Sequence, residues 1–142
     1  MKKSVIILTA ILATLFASSV QAQKVIELNK QQFLEKVWNY EVDTDAWKYN
    51  GSLPCVIDFN AKWCGPCRKM EPILKELAKK YEGQIVIYKV DVDKEQELAA
   101  LFGISSIPAF LFCPTDGEPR GTTGAYPAED FDKIIQEVLL KQ

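Results

Sequence analysis

Two cysteines separated by two residues are the part of this sequence best suited to chemistry. Cys64 and Cys67 flank a Gly-Pro dipeptide, between a predicted strand and the helix that follows it. Such a pair can do redox chemistry, close a structural disulfide or supply half of a zinc site. Tetrahedral zinc needs two more ligands, but the chain has no histidine, and Cys55 and Cys113 form no second close pair. A disulfide across so short a loop constrains the unfolded chain little, so redox catalysis is the favoured interpretation.

The predicted position of the pair, at the start of a helix, gives a physical reason for that reactivity. Unpaired backbone N–H groups and the helix dipole stabilise an anion there. They lower the pKa of the first thiol and so supply thiolate at neutral pH. We expect Cys64 to be the exposed nucleophile. Cys67, one turn inside the helix, would be shielded and would attack only after Cys64 has formed a mixed disulfide with a substrate.

The composition narrows the remaining classes of function. The 142 residues are 48% hydrophobic and 25% charged, as is usual for a soluble globular protein. The absence of histidine excludes Ser-His-Asp and Cys-His nucleophilic sites and any histidine-ligated zinc or haem. The 17 basic residues do not exceed the 19 acidic ones, which disfavours a nucleic-acid-binding protein.

The first 22 residues are typical of a cleaved secretory signal. Two lysines precede an apolar stretch, Val5–Val20, whose 16 residues fall short of the roughly 20 that span a bilayer. Val20 and Ala22 supply small residues for signal-peptidase cleavage. An uncleaved amphipathic anchor is the alternative, but the stretch has no polar face. The mature protein would be residues 23–142, a single domain exported to a compartment where disulfide chemistry persists.

Apolar periodicity and turn residues predict alternating strands and helices in the mature chain. The predicted strands are Lys24–Leu28, Cys55–Phe59, Ile85–Val92, Ala109–Cys113 and Glu118–Gly124. Four helices are predicted. The first follows a cap at Asn29, and the second runs from Gly65 to Gly83. The third follows a cap at Asp93 and buries Leu98, Leu101 and Phe102, and the fourth starts at Pro127. Strands joined by helices pair in parallel, and the final hairpin adds antiparallel pairing. We therefore expect an α/β fold, with a mixed central sheet and helices on both faces.

The residues around the cysteine pair resemble the active-site segment of the thioredoxin family. The shared segment runs from Phe59 to Met70 and reads FNAKWCGPCRKM. The other matching residues are spread along the chain: Asp58 at the family's buried acid, Pro72 at the helix kink, Lys89 at the lysine neighbour, Ile107 and Pro108 at the cis-proline segment, and Gly124 beside the substrate groove. The match covers the chain from about Lys24 to the C terminus. Asn60 departs from the family's usual aromatic residue, and the loop Asn39–Pro54 is longer than in compact thioredoxins.

The resemblance implies a role for each matching residue. Asp58 would accept the proton of Cys67, and Lys89, Gly65 and Pro66 would modulate the site. Substrate backbone would lie in a groove formed by Trp63, Ile107, Pro108 and Gly124. The residues alone leave purely structural interpretations open. These are a polar residue at a sheet edge for Asp58, a lysine that reaches solvent for Lys89, a trans loop proline for Pro108 and core packing for Trp63.

Two features outside the motif also carry expectations. Trp47 and Tyr49 are expected to anchor the long loop rather than to form a binding surface. Cys55 begins the second strand and Cys113 ends the fourth, and these strands are antiparallel neighbours in thioredoxins. The two residues would therefore be either buried free thiols or a second disulfide.

With the signal segment, the chain resembles an exported thioredoxin of a Gram-negative bacterium. The prediction is a periplasmic oxidoreductase that reduces protein disulfides, works as a monomer and needs neither a metal nor a dissociable cofactor. Electrons would come from a membrane-embedded thiol donor, because NADPH and its reductase are expected in the cytosol. The alternatives are a disulfide oxidase or isomerase, or a binding module or chaperone with an incidental Cys-x-x-Cys pair.

Overall fold

The computed structural model describes residues 24–141, so the predicted signal segment, residues 1–22, lies outside the described residues. The strands are β1 Ile26–Glu27, β2 Cys55–Asn60, β3 Val86–Asp91, β4 Ala109–Cys113 and β5 Arg120–Thr123. The helices are α1 Lys30–Lys36, α2 Gly65–Lys80, α3 Gln96–Leu101 and α4 Ala128–Ile134, which continues as a π-helix over Ile135–Leu140. Within this described part, no helix is long and apolar enough to cross a membrane.

The five strands form one mixed sheet in the order β1-β3-β2-β4-β5. The central strand β2 pairs in parallel with β3 and antiparallel with β4, which in turn pairs antiparallel with β5. All six residues of β2 are buried. The register places Asp58 between Lys89 on β3 and Phe110 on β4. The predicted α/β fold with a mixed central sheet is confirmed.

Alternate residues of β2 contribute to two hydrophobic clusters on opposite faces of the sheet. On one face, Val56 belongs to a cluster with Met70 of α2 and Phe131 of α4. On the other, Ile57 belongs to a cluster with Phe33 of α1. Helices therefore cover both faces, as the sequence predicts. Each buried aliphatic or aromatic side chain contributes about 1.5–3 kcal/mol to folding, so these clusters fix β2 between the two helical layers.

The region of α3 differs from the sequence prediction in two respects. Glu95, not Asp93, precedes the helix, and no side chain caps it. The Asp93 carboxylate instead accepts a hydrogen bond from the Trp63 indole N–H. Leu98 is fully buried, but Leu101 is 40% exposed, so the prediction that Leu101 belongs to the buried face is wrong. Phe102, just after this short helix, packs against the core as predicted.

The other predicted helices are present in the structure, with small differences. The cap at Asn29 is a full capping box: its side chain accepts from the backbone of Gln32, whose side chain accepts from the backbone of Asn29. The last helix begins at Ala128, directly after the predicted start at Pro127, and buries Phe131 and Ile135. Its change to π-helix at Ile135 was not predicted, because the apolar spacing is compatible with an ordinary α-helix.

Aromatic stacking fixes the long loop Asn39–Pro54. The Trp47 ring lies 5.2 Å from Trp38 and 6.3 Å from Tyr49 between centroids, and these rings pack against the α1 side of the sheet. The Tyr49 hydroxyl donates to the carbonyl of Leu53 at 2.6 Å. Aromatic pairs of this kind add about 0.5–1.5 kcal/mol beyond area burial. Trp47 and Tyr49 thus anchor the loop, as expected from the sequence.

Cys55 and Cys113 are direct partners across the antiparallel pair of β2 and β4. Both are fully buried, and both are free thiols. Burial, followed by the adjacent Cys55 thiol, raises the pKa of the Cys113 thiol well above its usual 9.0. A thiol in such surroundings is a poor nucleophile, because the thiolate is the reactive form.

We therefore expect the oxidised protein, unfolded in denaturant and alkylated, to take up two labels, on Cys55 and Cys113. The same treatment after full reduction should give four labels, and an oxidised Cys55→Ala variant should give one. Mass spectrometry of the intact protein distinguishes these counts. An oxidised wild-type protein without any label would mean that a second disulfide bridges β2 and β4.

Candidate active site

The Cys64–Cys67 pair forms a disulfide at the beginning of α2, with its Cα atoms 5.3 Å apart. Cys64 occupies the N-cap position in an extended conformation, and its sulfur accepts a hydrogen bond from the Cys67 backbone N–H at 3.2 Å. Pro66 follows Gly65 in the first turn, where its missing N–H leaves no bond unmade. The first sulfur is therefore held where the unpaired N–H groups of a 16-residue helix converge.

Burial does not distinguish the two cysteines. Cys64 is 4% exposed and Cys67 is 3% exposed, so the prediction of an exposed Cys64 is wrong for the disulfide form. The two sulfurs pack with Ala61, and Val92 and Ile107 lie against them. The bond to Cys67 holds Cys64 against this apolar wall. This apolar wall forms a rim beside the disulfide.

Trp63 is the exposed part of that rim. It is 68% exposed, which rules out the core-packing interpretation. Its indole N–H donates to the Asp93 carboxylate at 2.9 Å, so the exposed ring is held by a charge-assisted hydrogen bond. Trp63 and Ile107 line a cavity of about 300 Å³ together with Val92, Ile104, Ser105 and Ser106. Val92 and Ile107 also pack against the disulfide, so this concavity lies beside it.

The Ile107–Pro108 peptide bond is cis, as the resemblance implies, and Pro108 is buried. The Pro108 carbonyl accepts a hydrogen bond from the Gly124 N–H at 2.8 Å. Gly124 has a φ of +96°, a conformation that residues with a Cβ rarely adopt. The bond ties the end of β5 to the segment that precedes β4. Ile107 and Trp63 thus share a cavity, while Pro108 and Gly124 form a backbone-linked pair next to it.

Asp58 lies in the middle of β2 and is 1% exposed. It lines a cavity of about 210 Å³ together with Glu71 of α2 and Lys89 of β3. Burial raises the pKa of its carboxyl from 3.8 to about 7; the Glu71 charge adds to this effect, and Lys89 and a hydrogen bond from Asn60 oppose it. Glu71 follows Cys67 by four residues and so lies on the same face of the helix. The Cys67 face of α2 is therefore turned toward Asp58.

Two residues around Asp58, Glu71 and Asn60, were not predicted as part of the site. Lys89 forms an ion pair with Glu71 at 3.2 Å between Nζ and Oε1, although strand register sets it beside Asp58. Asn60 is buried and hydrogen-bonded to Asp58. The signals were available in the sequence: Glu71 has helical spacing from Cys67, and Asn60 has strand spacing from Asp58. The identity of their partners depended on tertiary contacts.

The Thioredoxin family model matches residues 24–137. The chain belongs to the thioredoxin family. It is 43% identical over 112 residues to a thioredoxin of Borreliella burgdorferi, covering 79% of this chain and 95% of that one. It is 34% identical over 97 residues to a thioredoxin of Haemophilus influenzae, covering 68% and 91%. The solved structure of chloroplastic thioredoxin z has the same fold, with a TM-score of 0.66 at 23% identity over 83% of this chain and 96% of that one.

Family membership decides the general chemistry of the site. This thioredoxin is a thiol–disulfide oxidoreductase, a protein-disulfide reductase that acts on disulfide-bearing proteins. Thioredoxins work through a redox-active disulfide without a cofactor. In residues 24–141 no group of three or more metal-ligating side chains is close enough together to hold an ion.

Proposed function

We propose that this thioredoxin is an exported reductase in which Cys64 attacks substrate disulfides and Cys67 resolves the intermediate. The observation that carries the proposal is the disulfide at the N-terminus of α2, beside an exposed tryptophan and a cis-proline segment. In the first step the Cys64 thiolate attacks one sulfur of the substrate disulfide. A Cys64–substrate disulfide forms, and the other substrate sulfur leaves as a thiolate.

In the second step the Cys67 thiolate attacks the Cys64 sulfur. The Cys64–Cys67 disulfide forms, and the second substrate sulfur leaves as a thiolate. Two electrons pass to the substrate. The short distance between the Cα atoms of the pair, 5.3 Å, favours this intramolecular attack. The N–H group that Cys67 directs at the Cys64 sulfur stabilises the thiolate that attacks first.

Asp58 is the proposed acceptor for the proton of Cys67. Its cavity faces the Cys67 side of α2, and a carboxyl with a pKa of about 7 is matched to proton transfer near neutral pH. The cavity is large enough for several waters and gives the proton a route to solvent. Lys89 modulates this base, because its charge favours the carboxylate and its ion pair with Glu71 holds it at the cavity wall.

The apolar rim is the proposed docking surface for substrate. Trp63 and Ile107 would contact the chain on either side of the substrate disulfide, and Pro108 and Gly124 would present backbone to it. Gly65 and Pro66 leave the first turn of α2 without bulky side chains, which lets the substrate sulfur reach Cys64.

Export to the periplasm is part of the proposal and rests on the N-terminal 22 residues of the sequence. A periplasmic reductase needs electrons delivered across the inner membrane, so the proposed donor is a membrane-embedded thiol protein. The proposed form is a monomer.

A redox titration with glutathione tests the direction of the reaction. We expect a reduction potential close to that of thioredoxin, about −270 mV, rather than that of the periplasmic oxidase, about −120 mV. The titration can follow the Cys64–Cys67 pair by mass after quenching with an alkylating reagent, with Cys64→Ser/Cys67→Ser as the unreactive control. A value near −120 mV would favour a disulfide oxidase. A double variant that kept full activity in the cell would favour a binding module or chaperone.

A further inference from the structure

Asn60 and Asp58 form a hydrogen-bonded pair on one face of β2. They are two residues apart in a strand, so their side chains point to the same side of the sheet. The Asn60 amide nitrogen lies 3.3 Å from Oδ2 of Asp58 and 3.1 Å from its backbone carbonyl oxygen. Both residues are buried, at 5% and 1% exposure. The amide therefore donates to both the carboxyl and the backbone carbonyl of Asp58, and burial shields these bonds from water.

The chemistry of the partners fixes the direction of these bonds. The carbonyl oxygen and the ionised carboxylate of Asp58 are both acceptors, so the amide NH₂, with two hydrogens, must face them. A donor of this kind favours the ionised carboxyl over the neutral acid. The other carboxyl oxygen, Oδ1, accepts no hydrogen bond from the described residues, so Asn60 provides the one side-chain donor to this carboxyl within that part of the chain.

The charged groups around Asp58 come from three other elements. They line the same cavity and are Glu27 of β1, Glu71 and Lys75 of α2, and Lys89 of β3. On the remaining side, the β4 neighbour Phe110 carries no charge. Glu71 opposes ionisation of Asp58 and Lys89 favours it, while these two are paired with each other. The neutral group that donates to the carboxyl is the Asn60 amide.

We propose that Asn60 is a positioning residue, whose amide holds Asp58 in the ionised, proton-accepting form and so sets the pH range in which Cys67 can be deprotonated. The inference rests on the proposed role of Asp58. It also gives a function to the position at which this sequence departs from the family's aromatic residue. Among the described residues the side-chain amide hydrogen-bonds only to Asp58, so it acts through that residue.

Asn60→Leu tests this inference, because leucine keeps the branched shape of asparagine and has no donor. Carbon-13 NMR of the Asp58 carboxyl in the oxidised protein should give a pKa higher by about one unit than in wild type. Resolution can be followed with an aromatic disulfide that releases a coloured thiolate: the phase whose rate is independent of reagent concentration reports attack by Cys67. The midpoint of its pH profile should rise by the same amount. At pH 7 the rate should fall about fivefold, and at pH 9 it should equal that of wild type.

Two controls separate positioning from packing. Asn60→Ala removes the donor without adding bulk and should move the midpoint in the same direction, so the test stands if leucine prevents folding. In an Asp58→Asn background, Asn60→Leu should leave the pH profile unchanged. An unchanged carboxyl pKa, or a rate loss equal at every pH, would overturn the inference. If the carboxyl pKa rises and the profile of Asp58→Asn matches wild type, the proposed role of Asp58 fails instead.

Discussion

Cys67→Ser should accumulate as mixed disulfides between Cys64 and its substrates. Attack by Cys64 is intact in this variant, whereas resolution is blocked because serine cannot displace the substrate sulfur. Turnover should stop after a single substrate per protein molecule. Affinity capture from the native compartment, followed by non-reducing and reducing electrophoresis, should show adducts that dithiothreitol releases.

Cys64→Ser is the matched control, since it removes the other sulfur of the same disulfide. The two cysteines are almost equally buried in the disulfide form, so exposure does not decide which one attacks. The N-cap position of Cys64 and the N–H donated to its sulfur favour it. Equal trapping by both variants, or trapping by Cys64→Ser alone, would overturn the assignment of nucleophile and resolving cysteine.

Asp58→Asn should stabilise the protein and slow resolution. Burial raises the pKa of the Asp58 carboxyl to about 7, from a usual value of 3.8. The native state therefore binds more protons than the unfolded state between these values, and the free energy of unfolding falls as pH rises through that window. At about 1.4 kcal/mol per pKa unit, the destabilisation reaches at most roughly 4 kcal/mol above pH 7. Asparagine has nearly the same shape and removes it.

The stability of Asp58→Asn should exceed that of wild type by a larger margin at pH 8 than at pH 4. Denaturant unfolding of the oxidised proteins measures this margin without titration of Cys64 or Cys67. Asp132→Asn is a control of opposite sign. Burial raises the pKa of Asp132, but hydrogen bonds from Lys80 and Tyr81 outweigh it and leave the pKa below 3.8. Loss of that carboxylate should cost stability at pH 8, by about 1 kcal/mol, and less at low pH.

The kinetic half of the Asp58 prediction is independent of stability. Without the carboxylate, Cys67 has no buried acceptor for its proton, and no histidine is present to replace it. The phase of thiol release that reports resolution should slow, while the bimolecular attack by Cys64 should keep its rate. A variant that is less stable than wild type at pH 8, or that resolves at the wild-type rate, would contradict the assignment of Asp58 as a buried base.

Local signals in the sequence were sufficient to predict the main strands and helices of this protein. The apolar run of β2 predicted a buried strand, and the Gly-Pro dipeptide predicted the start of α2 at Gly65. The Asn29 capping box was predicted because it involves residues three apart. The cysteine pair was recognised for the same reason: its spacing, and its position between strand and helix, are properties of neighbouring residues.

The predictions that failed depended on contacts between distant parts of the chain. Asp93 has the local chemistry of a helix cap, but the Trp63 indole, 30 residues away in sequence, takes its carboxylate. Cys64 has the position of an exposed residue, but the cis-proline segment brings Ile107 against it. Leu101 has helical spacing but is exposed, whereas Phe102 beside it packs against the core as predicted. Local pattern indicates which face a residue prefers and cannot show which other segment already covers that face.

The sequence by itself determined the fold class and the redox pair, because each follows from residue types at short, regular spacing. The resemblance of the sequence to thioredoxins also indicated Asp58 as the buried acid. Only the tertiary structure decided how that acid is controlled. Lys89 lies beside Asp58 in strand register yet pairs with Glu71 of α2, and Asn60 supplies the donor to the carboxyl. The physical reason is that the charge of a buried group depends on every element packed around it, and those elements meet only when the sheet and helix close over Asp58.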